Sequence, residues 1–470
     1  MICRRYGVLA LGVSLFGCSA APAQPSHLAV AAPDAATEAG HDASASVTDD
    51  GRNAVSPAEQ RLAWIVAALN GAAVTDADIT ANFDAAFLSA VPATQLRALI
   101  GALSAYKPWK LAGFEGTVTP TSLTAIVIRD DGEYARVGII VDGFAPYLVS
   151  TASISPAGDL DPSLATYTAV ESAVAALGPG ADMLAANIDA TGACVPLHAF
   201  NAGSNLALGS AFKLWVLAAL AESVASGARA WTDTVAIDDR YKSLPSGTLQ
   251  TVPAGTAFPL LTFAGQMISV SDNTAADHLL FTVGRLAVEA MLARTGHHDP
   301  AVDQPFLSTR ELFAIKLLLS PADQQAYVSA SSDVRRTLLA TYDLTLDPRS
   351  ATTNSWTMPI LVDRVEWFAT QADLCGVMAA LKGYGEKPAT KSVLDVLALN
   401  PGIPAPAGLF AYVGFKGGSE PGVLDLTWLL RRASDQSWAF FSVGWNDANK
   451  PINEDRAAYV AGAGRALLAR

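Results

Sequence analysis

Ser210-Ala211-Phe212-Lys213, running on into Leu214-Trp215-Val216-Leu217-Ala218-Ala219-Leu220, is the stretch from which the rest of the chain can be read. Residues 210–224 have helical character, and residues three apart at a helix start share a face, so the Ser210 hydroxyl and the Lys213 amine can meet. The positive end of the helix and the apolar surroundings both disfavour the ammonium form. A neutral lysine is a base. The serine beside it can then attack a carbonyl, with its own backbone N–H turned toward the oxyanion. Alone the pattern is weak, because 34 Ser and 10 Lys in 470 residues give about 0.7 chance pairs at this spacing. Ser104-Ala105-Tyr106-Lys107 is one such pair, stopped by Pro108 and completed by nothing downstream.

What singles out Ser210 is company. Ser271-Asp272-Asn273 lies 61 residues further on, between the apolar run 263–270 and a helix expected over 274–281. Lys416-Gly417-Gly418-Ser419 ends a strand late in the chain. A serine–lysine nucleophile, a Ser-Asp-Asn loop and a Lys-x-Gly strand, in that order, are three parts of one active site. The elements around them are consistent. Residues 183–188 and 195–201 read as strands about Ala190-Thr191-Gly192, and 408–416, 423–431 and 438–445 as three more. With helices over 162–177 and 453–468, these five strands predict one antiparallel sheet with terminal helices on a face, the middle forming a helical lobe. The fold class is α+β.

Residues 57–155 form a different pattern. Leu62, Ile65, Val66 and Leu69 predict a first helix, Ile79, Phe83 and Phe87 a second, and Leu96, Leu99, Ile100 and Leu103 a third. Strands over 111–118, 122–128 and 134–141 follow, parted by Thr119-Pro120-Thr121 and Asp130-Asp131-Gly132, the turn signals of a meander. The stretch has no His and no Cys and reads as a small α+β accessory domain. Before it, residues 19–56 are rich in Ala, Pro, Ser, Asp and Gly without periodicity, which predicts a flexible tether. Arg4 and Arg5 precede the apolar run 7–16, about half of the roughly 20 residues a spanning helix needs. Residues 1–18 are therefore expected to be a signal peptide ending in Leu15-Phe16-Gly17-Cys18.

Taken together, residues 161–470 resemble the class A β-lactamase and penicillin-binding superfamily of serine hydrolases, most closely in Ser271-Asp272-Asn273-Thr274-Ala275-Ala276. The phrases Tyr412-Val413-Gly414-Phe415-Lys416-Gly417-Gly418-Ser419-Glu420-Pro421-Gly422 and Val365-Glu366-Trp367-Phe368 are similar to two-domain serine hydrolases of clavulanic acid biosynthesis clusters. Those carry a small cyclase-like or isomerase-like α+β domain before the β-lactamase-like one, which matches residues 57–155 in position and element order and implies a cystatin- or NTF2-like fold for them. The segment ending at Cys18 resembles a bacterial lipobox, which implies lipidation of Cys18 and an exported protein held on the periplasmic side of a membrane.

The resemblance implies that Ser210 is acylated, Lys213 is its base and Ser271 relays the proton to the leaving group. Asn273 would hold a substrate amide and help fix Lys213, and Asp272 would brace its loop. Lys416 would tune Ser271 and attract a substrate carboxylate. Gly418 and Ser419 belong to the substrate strand, and the N–H groups of Ser210 and Ser419 would form the oxyanion hole. Glu366, in Arg364-Val365-Glu366-Trp367, is the nearest candidate for a deacylating base, although Thr370 stands where that family has Asn. Otherwise Glu366 is a structural carboxylate, paired with Arg364 or capping the helix that begins near Thr370. Gly417 stands where a hydroxyl residue is usual, which removes a hydrogen bond to a substrate carboxylate worth about 1.5–3 kcal/mol. The activity implied is β-lactam hydrolysis. The alternatives are an esterase or D-Ala peptidase of the same fold, or a penicillin-binding sensor that acylates and stalls.

Composition narrows the partners. With 51% apolar and 16% charged residues the chain buries a core, and its net charge of -13 has no basic block to follow a phosphate backbone. A nucleic-acid partner is excluded, and a monomer acting on a small molecule is expected. No Cys-x-x-Cys or His-Glu-x-x-His occurs, so no metal and no cofactor are expected. His297-His298-Asp299 reads as a polar turn, and Glu311 as a solvated or salt-bridged helix residue. Whether Cys194 and Cys375 approach each other is not written in the sequence.

Overall fold

A computed structural model describes residues 55–351 and 356–470. The expected signal segment with Cys18, and the tether up to residue 54, lie outside the described residues. The described residues divide into two compact units, 55–131 with 136–153, and 132–135 with 154–470.

In the first unit, helix α1 (Pro57–Leu69) starts on a capping box in which Ser56 Oγ accepts from Glu59 N at 3.2 Å and the Glu59 carboxylate accepts from Ser56 N at 2.8 Å. The second expected helix is two helices, α2 (Asp76–Asn82) and α3 (Ala85–Ala90). Phe83 is extended, and the Asp84 side chain accepts from Phe87 N at 2.6 Å, so a new N-cap interrupts the apolar spacing that suggested one helix. Helix α4 (Ala93–Leu103) follows, then β1 (Lys110–Glu115), β2 (Ser122–Ile128), β3 (Tyr134–Val141) and β4 (Val149–Pro156), a four-stranded sheet in sequence order. The sequence reading lacked β4.

The second unit begins with α5 (Tyr167–Ala175), β5 (Gly180–Ile188), β6 (Cys194–Phe200) and the short β7 (Leu206–Ala207). Helix α6 (Lys213–Ala225) is buried on nearly every side and is the axis of the helical lobe. The lobe continues through the hairpin β8 (Thr234–Ala236) and β9 (Ala257–Pro259), then α7 (Leu260–Ser269), α8 (Asn273–Val283), α9 (Arg285–Arg294) and α10 (Thr309–Leu318). Helices α11 (Pro321–Ser329) and α12 (Ser332–Thr345) follow. Then come β10 (Phe368–Ala369), which pairs with β7, and helices α13 (Gln371–Gly385) and α14 (Ser392–Ala398). Strands β11 (Phe410–Glu420), β12 (Val423–Arg432) and β13 (Trp438–Asn446) and helix α15 (Glu454–Ala466) close the chain.

The main sheet has the order β11-β12-β13-β5-β6 and is antiparallel throughout. Alternate residues of its strands serve two cores. Leu184, Ala186, Leu429 and Phe440 pack with Trp215, Leu217 and Met378 of the lobe. Met183, Ala185, Trp428 and Phe441 pack with Val170, Val174, Tyr459 and Val460 of the terminal helices. Both faces being covered, β12 and β13 read as almost unbroken apolar runs. Cys194 on β6 and Cys375 on α13 form a disulfide across 181 residues of sequence. No helix among the described residues is long and apolar enough to cross a membrane.

Candidate active site

Ser210 stands on a tight turn rather than inside a helix. Residues Gly209–Phe212 form a 3-10 turn, and α6 begins only at Lys213. Gly209 has φ +49, a conformation that suits glycine, and a Cβ there would lie 2.9 Å from Ser419 N. A Cβ on Gly418 would lie 2.0 Å from Leu208 O and 2.5 Å from Ser210 N. Two facing glycines thus let β11 close on the turn, and they bring the backbone nitrogens of Ser210 and Ser419 to the edge of one small volume.

Lys213 is fully buried. Its Nζ lies 2.6 Å from Ser271 O and 2.6 Å from Asn273 Oδ1, two oxygens that can only accept. Ser210 Oγ and Ser271 Oγ each lie 3.1 Å from the same nitrogen. Burial, and next the charge of Lys416, hold the Lys213 amine well below the usual lysine range, against the pull of Asp272 and Asp277. A neutral amine has two N–H groups for the two obligatory acceptors and one lone pair left for a hydroxyl.

The Ser-Asp-Asn loop is built to present these groups. Ser271 has φ +56, an uncommon conformation for a side-chain-bearing residue, and its carbonyl also accepts from Ser246 Oγ at 2.6 Å. Asp272 caps α8 by accepting from Ala275 N at 2.8 Å, and its other oxygen accepts from Thr248 N at 2.7 Å and Leu249 N at 2.9 Å. It braces the 246–249 loop as well as its own. Asn273 donates one amide N–H to Leu244 O at 3.0 Å, leaving the other for a ligand. Lys416, buried on β11, donates to Ser271 Oγ at 3.0 Å and to Gly417 O. Its pKa is pushed down to about 7 by burial, with Asp425 pulling the other way. Ser210, Lys213, Ser271 and Lys416 are therefore one continuous hydrogen-bonded chain.

The structure does not join Glu366 to that chain. Its carboxylate accepts from Lys316 Nζ at 2.8 Å, and Lys316 also binds Glu420. Glu366 makes no hydrogen bond to Ser210 or Lys213 among the described residues. It pairs with neither Arg364 nor α13, whose cap is the Thr370–Asp373 capping box. Lys316, Glu420 and Asp425 are the charged residues that the sequence reading missed. Glu420 and Asp425 carried a faint signal, since 416, 418 and 420 share one side of β11 and Asp425 is the register partner of Gly418. Lys316 carried none.

His297 Nε2 lies 2.9 Å from Phe368 O and its Nδ1 accepts from Asp299 N at 3.2 Å, while His298 Nδ1 lies 2.7 Å from Asp373 Oδ2. His297, His298 and Asp373 offer ligand atoms within 4.8 Å of one another, and in this arrangement the named nitrogens hydrogen-bond to Phe368 of β10, Asp299 of the turn and Asp373 of α13. Glu311 is buried and salt-bridged to Arg285 at 2.6 Å rather than solvated.

Residues 191–353 match the model of the β-lactamase enzyme family, and residues 54–144 match the family described as ORF 12 gene product N-terminal. No curated protein matches the chain. Among solved structures the chain is similar to a β-lactamase from Sphaerobacter thermophilus, at 21% identity over 64% of this chain and 93% of that one, with a TM-score of 0.44. It is also similar to a β-lactamase from Chitinophaga pinensis, at 15% identity over 64% and 96%, TM-score 0.43, and to PBP-A, at 16% identity over 64% and 95%, TM-score 0.41. The second unit has a β-lactamase-like fold, and the match to the β-lactamase enzyme family spans Ser210, Lys213 and the Ser271-Asp272-Asn273 loop.

Proposed function

We propose that the second unit is a serine hydrolase that works through an acyl-enzyme on Ser210, with β-lactam amides as its leading substrate class. The observation that carries this reading is the pair of 2.6 Å contacts from Lys213 Nζ to Ser271 O and Asn273 Oδ1, which leave the lone pair of a neutral amine for the serine proton. Ser210 Oγ bonds to the substrate carbonyl carbon as its proton passes to Lys213. The N–H groups of Ser210 and Ser419 hold the oxyanion. The C–N bond then breaks as Lys213 returns the proton through Ser271 to the leaving nitrogen. Lys213, neutral again, is the base beside the acyl ester when water enters.

Ester hydrolysis is the second reading, and two observations favour it. Gly417 offers no hydroxyl to a carboxylate, and Glu366 is engaged by Lys316 and makes no hydrogen bond to Ser210 among the described residues. An ester needs only nucleophile, base and oxyanion donors. The test is intact mass after mixing with benzylpenicillin and, separately, with p-nitrophenyl acetate. Turnover of penicillin supports the first reading, and a persistent penicillin adduct with ester turnover supports the second. Ser210→Ala is expected to lose both labelling and hydrolysis with an unchanged melting temperature, and activity retained in that variant overturns both.

Export and lipidation at Cys18 belong to the same proposal. They are supported by the order Arg4-Arg5, apolar run, Gly17-Cys18, and by the Cys194–Cys375 disulfide, a bond that persists in oxidising compartments. Cys18→Ser is expected to abolish lipid labelling and release the protein from membranes.

A further inference from the structure

Lys316, Glu366 and Glu420 come from three separate elements and meet out of water. Lys316 lies on α10, Glu366 in the loop before β10, and Glu420 at the last position of β11. The side chains of Lys316 and Glu366 are 0% and 1% exposed, and that of Glu420 is 7% exposed. One ammonium serves both carboxyl groups, at 2.8 Å to Glu366 and closer to Glu420. The carboxyl groups also lie within hydrogen-bond reach of each other.

Two of these residues adjoin the reacting centre along the chain. Glu420 follows Ser419, whose N–H is one of the oxyanion donors in the acyl-serine reading. Glu366 precedes Trp367, whose ring stacks on Phe212 with centroids 3.7 Å apart, inside the Ser210-Ala211-Phe212-Lys213 turn. Trp367 Nε1 is tied to Leu307 O at 3.1 Å, and Trp367 O accepts from Leu208 N at 2.9 Å, so this loop is fastened to the nucleophile turn on two sides. The close approach at Gly418 leaves little slack between β11 and the same turn.

We propose that Lys316, Glu366 and Glu420 are positioning residues that clamp the oxyanion end of β11 to the loop carrying Trp367 and keep that clamp electrically neutral beside the developing oxyanion. The proposal rests on the acyl-serine reading above. Its charge balance is supported by direction: burial, and then the Glu366 charge, hold the Glu420 carboxyl well above the ordinary range. Burial works against the Lys316 charge, yet the two carboxyl groups outweigh it and raise its pKa. Both directions favour a trio in which the one ammonium is not outweighed by negative charge. Removing Lys316 leaves a net negative charge next to Ser419, which opposes an oxyanion without touching the substrate. Removing the Glu420 carboxyl instead frees the end of the strand.

The experiment measures the acylation burst with p-nitrophenyl acetate in the full chain, with fold checked by near-ultraviolet circular dichroism. Lys316→Met is expected to slow acylation about 10-fold with KM changed less than about 3-fold, a smaller loss than the roughly 100- to 1000-fold of deleting an oxyanion donor. Lys316→Met/Glu366→Gln, which restores neutrality, is expected to regain at least about 3-fold, and a merely structural lysine gives no such recovery. Should Lys316→Met not fold, Glu420→Ala keeps the Lys316–Glu366 pair and tests the strand end, with the same fall in rate expected. Wild-type acylation in either folded single variant, or a folded double variant no faster than Lys316→Met, overturns the clamp alone. A wild-type protein that takes no acyl group at Ser210 overturns the acyl-serine reading and the clamp with it.

Discussion

Two lysines buried around one serine hydroxyl repel each other, and the site assigns them different charges. In the proposed acyl-serine reaction Lys213, deep in the lobe and held well below the usual lysine range, serves as the base, and Lys416, with a pKa pushed down to about 7, is the cation that meets a substrate carboxylate. Below that pH Lys416 is cationic and draws a substrate carboxylate, and above it the charge is gone. The kcat/KM for benzylpenicillin is therefore expected to fall as pH rises through about 7, while that for a neutral ester lacks the descending limb. Parallel limbs for the two substrates would refute the assignment. A Cβ on Gly417 would lie 2.8 Å from Phe415 Cζ and 3.2 Å from Asp425 O, so Gly417→Thr alone pushes against a packed ring and a neighbouring strand. Gly417→Thr is expected to impair acylation, and Phe415→Ala/Gly417→Thr to exceed Phe415→Ala in penicillin acylation by about 10-fold, the size of one charged hydrogen bond. Burst kinetics of the three variants check this. The motifs made Ser210, Lys213, Ser271, Asn273 and Lys416 legible because each is a local phrase. Lys316 was not, because its partners lie 50 and 104 residues away and an ion pair leaves no trace in spacing.

At the scale of elements, chemistry is set by how closely β11 approaches the 209–212 turn. Gly418→Ala is expected to keep the sheet but lose acylation about 100-fold or more, since its methyl would stand 2.0 Å from Leu208 O and drive Ser419 N off the oxyanion position. Wild-type labelling kinetics in that variant would sink the idea that this approach forms the hole. Asp272→Ala is a second case. It removes the cap of α8 and leaves the N–H groups of Thr248 and Leu249 without their acceptor, so a loss of about 2 kcal/mol or more is expected in urea unfolding. Most elements were readable from apolar spacing, and the exceptions have local causes. Asp84 restarts a helix where Phe83 and Phe87 suggested continuity. Ser210 sits on a 3-10 turn because β11 presses on it. Strand β11 runs four residues past Lys416, because glycines give no periodic signal and only pairing with β12 defines its end.

For the whole second unit, the disulfide between β6 and α13 is the one cross-link between sheet and lobe besides the backbone among the described residues. A loop of 181 residues is long, and the chain-entropy picture gives about 5 kcal/mol for closing it, with measured values usually about 2–4. Cys194→Ser/Cys375→Ser is expected to unfold at lower denaturant concentration by that margin, with the native site geometry retained. An unchanged midpoint would show that the tie constrains nothing. Neither half of the bond was assignable from sequence, whereas a single five-stranded antiparallel sheet was, because hairpins and terminal helices restrict the topologies available. The same closed loop contains Ser210, Lys213, Ser271 and Glu366 but leaves out Lys416 and Ser419. A single protease cut anywhere between residues 195 and 374 therefore severs the backbone without parting the molecule. The nicked protein runs as one band on a gel without reductant and as two with it, and its halves stay joined through sulfur until a thiol reaches them.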